Sequence, residues 1–177
     1  MKRRTPILFL IALLLPAAVI FSQGLKKIPI RSSGCSLYSF CVMKFDESKS
    51  LDSSTVYAGE CVKEEVTYGT ICIKLINPPA DLTMAEDLLV AYLDYLKESF
   101  AITKAAGYGK GHRLNKNADT RGILDYWKDN EKNNWKVKAW TDGKFIGVLY
   151  AFSRKELPEQ RVNVFLEGFR MPEANKQ

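Results

Sequence analysis

The chain of 177 residues contains one histidine, His112. That scarcity removes most of the chemistry that imidazole serves. A Ser-His-Asp or Cys-His arrangement would have to use this single ring, and no G-x-S-x-G elbow is present to expose a nucleophilic serine. HExxH is absent too, so metal-assisted hydrolysis would rest on carboxylates alone. The phosphate-loop spacing G-x-x-x-x-G-K-S/T does not occur; Lys110 is followed by Gly111. No low-complexity linker divides the chain, so the part beyond the N-terminus reads as one domain with a proper core. No metal and no cofactor is expected.

Cysteine is sparse and widely spaced. Cys35, Cys41, Cys61 and Cys72 leave five, nineteen and ten residues between neighbours. Zinc sites favour close pairs, which are missing here. One or two disulfides are the better reading, with buried free thiols as the alternative. Four cysteines allow three full pairings. Cys41–Cys61 is the pairing favoured, because both residues fall in predicted neighbouring strands.

The one long hydrophobic run is at the start. Lys2, Arg3 and Arg4 precede a fifteen-residue apolar stretch, Ile7 to Phe21, broken only by Pro16. Ser22 and Gly24 are small residues at the −3 and −1 positions of a cut after Gly24. This predicts a secretory signal peptide over residues 1–24 and a mature domain over 25–177. The alternative is an uncleaved anchor, but a membrane span needs about 20 apolar residues. No cysteine follows the run directly, so a lipid-anchored start is not expected. The protein is therefore expected to be exported, periplasmic or extracellular, with no stable span after cleavage.

Export also changes the charge. The full chain carries +6, but without the three basic residues of the leader it has 23 basic and 20 acidic residues, or +3. That is ordinary for a small domain and gives little support to an anionic polymer as partner. Acidic residues also interrupt the aromatic segment Asp125-Tyr-Trp-Lys-Asp129, so nucleic acid is not expected.

Residues 36–45, 55–62 and 66–76 are rich in β-branched and aromatic residues and read as three strands, with DESKSLDSS as a polar loop. Asn77-Pro78-Pro79 ends the third. Thr83 and Glu86 read as a capping box for a helix running to about Lys104. Its stripes Leu88, Tyr92, Tyr95 and Leu89, Leu93, Leu96, Phe100 predict a helix lying across a sheet. Residues 121–128, 135–141 and 144–152 read as a second meander, with Asp142-Gly143 as its hairpin turn. In the middle strand Trp135, Val137 and Ala139 should face one side, and Lys136, Lys138 and Trp140 the other. Pro158 introduces a final helix striped by Val162, Phe165, Leu166 and Phe169. The order β-β-β-α-β-β-β-α predicts an α+β fold, an antiparallel sheet with helices packed on it. LKESF at 96–100 and FLEGF at 165–169 hint at an internal pseudo-repeat.

The stretch AAGYGKGHRL, residues 105–114, resembles a ligand loop at first sight. Its glycines follow a helix, however, whereas a phosphate loop precedes one. Gly107 is therefore expected as the left-handed cap of the long helix. The basic residues around it (Lys110, His112, Arg113, Lys116 and Arg121) could hold an acidic group. Tyr126, Trp127, Trp135 and Trp140 fall within fifteen residues on adjacent predicted strands. If one indole is exposed beside the basic loop, the two form a surface for an anionic ligand with an apolar part. The candidate ligand-binding residues are therefore Lys110, His112, Arg113, Arg121, Trp127 and Trp140. No catalytic residue is assigned. A carboxylate pair including Asp125 would leave no short motif and stays open.

The run DGKFIGVLYAFSRKELPEQRVNVFLEGFRM, residues 142–171, resembles the closing segment of the PsbP-like family, the extrinsic photosystem II proteins and their bacterial relatives. The shared pattern is a hairpin with Gly-Lys at its turn, an apolar strand, a Pro-Glu loop and a helix ending in Phe. The resemblance implies an α/β/α sandwich around an antiparallel sheet and a non-enzymatic accessory or binding role. It carries over no functional residue, and a secretory leader does not imply a photosystem. The expected function is an exported, non-catalytic binding or accessory protein for a small molecule or protein partner. The alternative is an exported hydrolase using carboxylates or His112.

Overall fold

A computed structural model describes residues 24–172. The predicted leader, except Gly24, lies outside the described residues. The strands are β1 (Lys26–Pro29), β2 (Ser36–Ser39), β3 (Asp46–Lys49), β4 (Thr55–Lys63) and β5 (Val66–Lys74), then, after helix α1 (Leu82–Ser99), β6 (Ile102–Ala105), β7 (Gly109–His112), β8 (Arg121–Asp129), β9 (Asn134–Thr141) and β10 (Phe145–Ser153). Helix α2 (Glu159–Leu166) and the two-residue β11 (Phe169–Arg170) close the chain.

The main sheet has eight strands in the order β3-β4-β5-β10-β9-β8, and β6 and β7 share the outer edge of β8. Every pairing in it is antiparallel. Two meanders, β3-β4-β5 and β8-β9-β10, thus meet along β5 and β10, where Cys72 stands opposite Gly147. A second sheet, β1-β2-β11, is smaller. The α+β expectation holds: helices pack on both faces of an antiparallel sheet.

Strand alternation decides which side chain goes to which layer. On one face Ile71, Ile73, Trp135, Val137, Ala139, Ile146 and Val148 meet Leu89, Leu93 and Leu96 of α1. On the other, Tyr68, Cys72, Trp140, Leu149 and Ala151 meet Val162, Phe165 and Leu166 of α2 and Leu37 of the small sheet. Lys136 and Lys138 share the α2 face yet are buried, at 5% and 8% exposure. Each ammonium is paired with a carboxylate at the edge of α2, Lys136 with Glu159 at 2.7 Å and Lys138 with Glu167. Each also lies over a ring, Tyr126 at 5.0 Å and Trp140 at 4.7 Å. Buried charge is tolerated only when paired in this way. The two lysines therefore fix where the short helix sits.

Several local expectations need correction. The N-cap of α1 is Asp81, not Thr83; its carboxylate accepts from the backbone N–H of Thr83 and Met84, both at 2.8 Å. An ionised acceptor reaching two free N–H groups outcompetes a hydroxyl two residues later. The helix stops at Ser99 rather than near Lys104. Phe100 stacks on Trp135 with ring centres 5.1 Å apart, and Ala101 takes the left-handed conformation at φ 51°. This pulls the chain onto the sheet, where β-branched Ile102 and Thr103 open β6. Residues 36–45 are not one strand. Only Ser36–Ser39 pair, and they join the small sheet. The outer strand of the first meander comes from the polar run instead, as β3. It is short and charged, which suits an exposed edge.

The hinted pseudo-repeat is not a symmetric one. Two equal halves joined antiparallel side by side are related by an axis normal to the sheet, which keeps both helices on one face. Here α1 and α2 lie on opposite faces.

Cys41 and Cys61 are bridged, with S–S 2.04 Å and Cα atoms 6.0 Å apart. The favoured pairing is correct, although Cys41 lies in the loop after β2 rather than in a strand. Such a bridge points to an oxidising compartment. Cys35 and Cys72 are buried free thiols. No helix among the described residues is long and apolar enough to cross a membrane.

Candidate functional site

The glycine stretch does not cap a helix. Gly107 lies in the turn between β6 and β7, at φ 99°, and its N–H donates to the Asp125 carboxylate at 3.1 Å. The correction follows from the early end of α1: the chain has already become a strand before the glycines begin. Asp125 organises this region. Its side chain is fully buried and also accepts from the Trp127 indole N–H at 2.6 Å and the Tyr126 N–H at 2.8 Å. Lys97 of α1 places its ammonium 3.3 Å away and donates to the Tyr108 hydroxyl at 2.9 Å. The aspartate thus ties helix, turn and strand together. As a catalytic carboxylate it has no free oxygen facing solvent, which corrects that candidate role. Four residues along β8, Asp129 accepts the Trp135 indole N–H at 2.8 Å. Both acids beside the tryptophans are there to satisfy buried indoles.

The surface expected from the basic loop and an exposed indole does not form. Trp127 is 3% exposed under α1, and Trp140 is fully buried on the opposite face. Trp140 donates to the Leu166 carbonyl at 3.3 Å. Alternation along β8 and β9 sends the two rings to opposite layers, and each layer is covered. Lys110 is exposed on β7. His112 is half-buried opposite Gly122. Burial, and then the Lys138 ammonium, hold its imidazole below the ordinary pKa, with Glu167 opposing. It is therefore neutral at pH 7. Arg113 donates to the Thr120 carbonyl at 2.9 Å, and Arg121 to the carbonyls of Ala118 and Thr120 at 3.1 Å. These two arginines close the turn that leads into β8.

That turn borders a groove of about 750 Å³, which sequence reasoning missed. Its walls come from distant segments: the small sheet, the 114–120 turn, the β9–β10 hairpin and the chain after β11. Lys27 and Arg170 of the small sheet and Lys144 of the β9–β10 hairpin line it. None of the three is paired with a carboxylate among the described residues, although Arg170 donates to the backbone carbonyls of Glu167 at 2.7 Å and Phe169 at 2.6 Å. Arg170 lies over the Tyr38 ring at 5.1 Å, so one wall is both cationic and aromatic. Asn115, Asn117 and Asp119 of the 114–120 turn supply polar groups to the same groove. The Asp142 carboxylate, though at the rim, accepts from the backbone N–H of Lys144 at 2.9 Å and Phe145 at 2.8 Å. Its charge is used to close the hairpin.

The groove also carries backbone strain. Asn115 and Lys116 are both left-handed, at φ 50° and 62°. Asparagine tolerates this conformation; lysine does so at a cost of about 1–2 kcal/mol. The turn is held by Thr120, whose hydroxyl accepts from the Leu114 N–H at 2.9 Å and donates to the Asn117 carbonyl at 2.8 Å. The one local signal that could have found the site is Asn115-Lys116-Asn117, a polar turn between β7 and β8.

Among the described residues, no group of three or more His, Cys, Asp or Glu side chains is gathered as a metal site. No protein-family model matches the chain, and no curated protein matches it.

Proposed function

We propose that this protein is an exported, non-catalytic binding module whose ligand is a small hydroxylated molecule with an anionic group. The observation that carries this reading is the groove lined by Lys27, Lys144 and Arg170, three cations from separate segments with no carboxylate partner among the described residues. Cations left without carboxylate partners around a concavity are ready to pair with an incoming anion. Tyr38 offers a ring face for the ligand's carbon skeleton, and Asp119 with the two asparagines offers acceptors for hydroxyl groups. Export is supported by the basic-then-apolar N-terminus and by the Cys41–Cys61 bridge. An accessory role is also what the PsbP-like resemblance of residues 142–171 implies, and a sheet covered on both faces supports it.

The test is thermal stabilisation of the full chain by a panel of small hydroxy-carboxylates, sugar acids and sugar phosphates, with uncharged sugars as controls. Ligand that binds only the folded state raises Tm. An anionic member should raise it, and Lys144→Glu with Arg170→Glu should abolish the rise. If no anionic member stabilises the protein, or the charge-reversed variant responds as the wild type does, the groove is not an anion site.

A further inference from the structure

The two free thiols are placed as if to be joined. Cys35 is 2% exposed and Cys72 fully buried, and both belong to the core on the α2 face. Three steps of register bring them to the same place. Cys72 of β5 stands opposite Gly147 of β10. The Phe169 ring occupies the space over Gly147, where a Cβ would lie 2.4 Å from its Cε1 atom. Phe169 in turn pairs with Leu37, and Cys35 lies two residues before Leu37 on the same side of the chain. The small sheet thus rests on the main sheet with Cys35 above Cys72.

Cys41 and Cys61 repeat the arrangement at the other end of β2. Cys35 precedes that strand and Cys41 follows it, while Cys61 and Cys72 lie on the adjacent strands β4 and β5. One bridge already fastens the exit of β2 to the main sheet.

We propose that Cys35 and Cys72 form a second disulfide in the exported protein, fastening the entry of β2 to β5. The closure is an ordinary exchange. The two thiols lose two protons and two electrons and gain one S–S bond, and an oxidant disulfide takes up those protons and electrons, its S–S bond breaking to leave two thiols. In the folded, reduced chain the Cys35 thiol beside it, and then burial, push the Cys72 thiol far above the ordinary range. A thiol so held is a poor nucleophile. The bond therefore forms while the chain folds, before α2 and the small sheet cover Cys72. Gly34 and Ser36, the neighbours of Cys35, line the groove. The second bridge accordingly fixes one groove wall to the sheet, but its existence does not depend on what the groove binds.

The experiment uses the full chain exported to an oxidising compartment, denatured in an alkylating reagent without reductant, and peptide-mapped. The expected map contains a Cys35 peptide linked to a Cys72 peptide, with no cysteine alkylated. A Cys35→Ser variant should show one alkylated thiol, at Cys72, with the Cys41–Cys61 link retained. Alkylation of both Cys35 and Cys72 in the wild type would overturn the proposal, as would either residue linked to Cys41 or Cys61. The wild-type map decides the matter even if Cys35→Ser does not accumulate.

Discussion

Replacing Asp125 by alanine tests the reading of the 105–129 region most directly. The carboxylate is fully buried and serves four donors: the N–H groups of Gly107 and Tyr126, the Trp127 indole and the Lys97 ammonium. These do not lose equally. The two backbone N–H groups are only partly buried, so water recovers much of their bonding. The indole is in the core, with Trp127 only 3% exposed, and has no second acceptor. Leaving such a donor unpaired costs about 1–3 kcal/mol. Lys97 keeps its bond to Tyr108 and its ion pair with Asp94, and its side chain is 17% exposed. Its loss is therefore about 1–2 kcal/mol, below that of a fully buried pair. Together these give roughly 2–5 kcal/mol. For a domain of this size that is a fall in Tm of roughly 4–20 °C. Asp125→Asn should lie between, because its amide N–H₂ must face either the indole or the backbone donors. Urea denaturation followed by near-UV circular dichroism measures both. A second cycle with Trp127→Phe should show coupling, since phenylalanine removes the orphaned donor. A loss below about 1 kcal/mol for Asp125→Ala would refute the assignment of Asp125 as a structural hub.

Other expectations concern packing, acid and light. Gly147→Ala would put a Cβ within 2.4 Å of the Phe169 ring, so the small sheet must shift, at a cost of about 1–3 kcal/mol; an unchanged unfolding midpoint would contradict the close sheet-to-sheet approach. The three tryptophans are 3%, 6% and 0% exposed, so emission should be blue-shifted and acrylamide should quench it weakly; a red-shifted, freely quenched component would show that one indole reaches solvent. Asp129 is opposed by burial, but hydrogen bonds from Asn133 and Trp135 prevail and hold its carboxyl below the ordinary 3.8. A folded pKa below the unfolded one gives stability that is complete above the unfolded value and lost as pH falls through the folded one. Wild-type stability should therefore drop below about pH 4 more steeply than that of Asp129→Asn, and parallel curves would remove this contribution.

The sequence by itself determined the elements whose periodicity is strong. The alternation in Trp135–Thr141, with lysines and Trp140 on one side and Trp135, Val137 and Ala139 on the other, is enough to place those side chains in two layers. Asp142-Gly143 fixed a hairpin, and the leucines of 89–96 fixed a helix against a sheet. These signals are local because each depends on one element presenting one face. The favoured Cys41–Cys61 pairing is right, but not for the reason that favoured it, since Cys41 follows β2 in a loop and β2 does not pair with β4.

Tertiary structure decided what several distant segments decide jointly. Nothing within residues 36–49 says that Ser36–Ser39 pair with Lys26–Pro29 and Phe169–Arg170 while the charged Asp46–Lys49 edges the main sheet. Strand partners are chosen by the free edges left once larger strands have paired. Likewise nothing in 96–107 says that the helix gives way at Ser99. Phe100 finds Trp135 and Tyr150, both more than thirty residues onward, and contact with them outweighs another turn of helix. The groove is the extreme case. Lys27, Lys144 and Arg170 come to line one groove only when two sheets are stacked, because a concavity is a property of surfaces brought together and no single segment contains one.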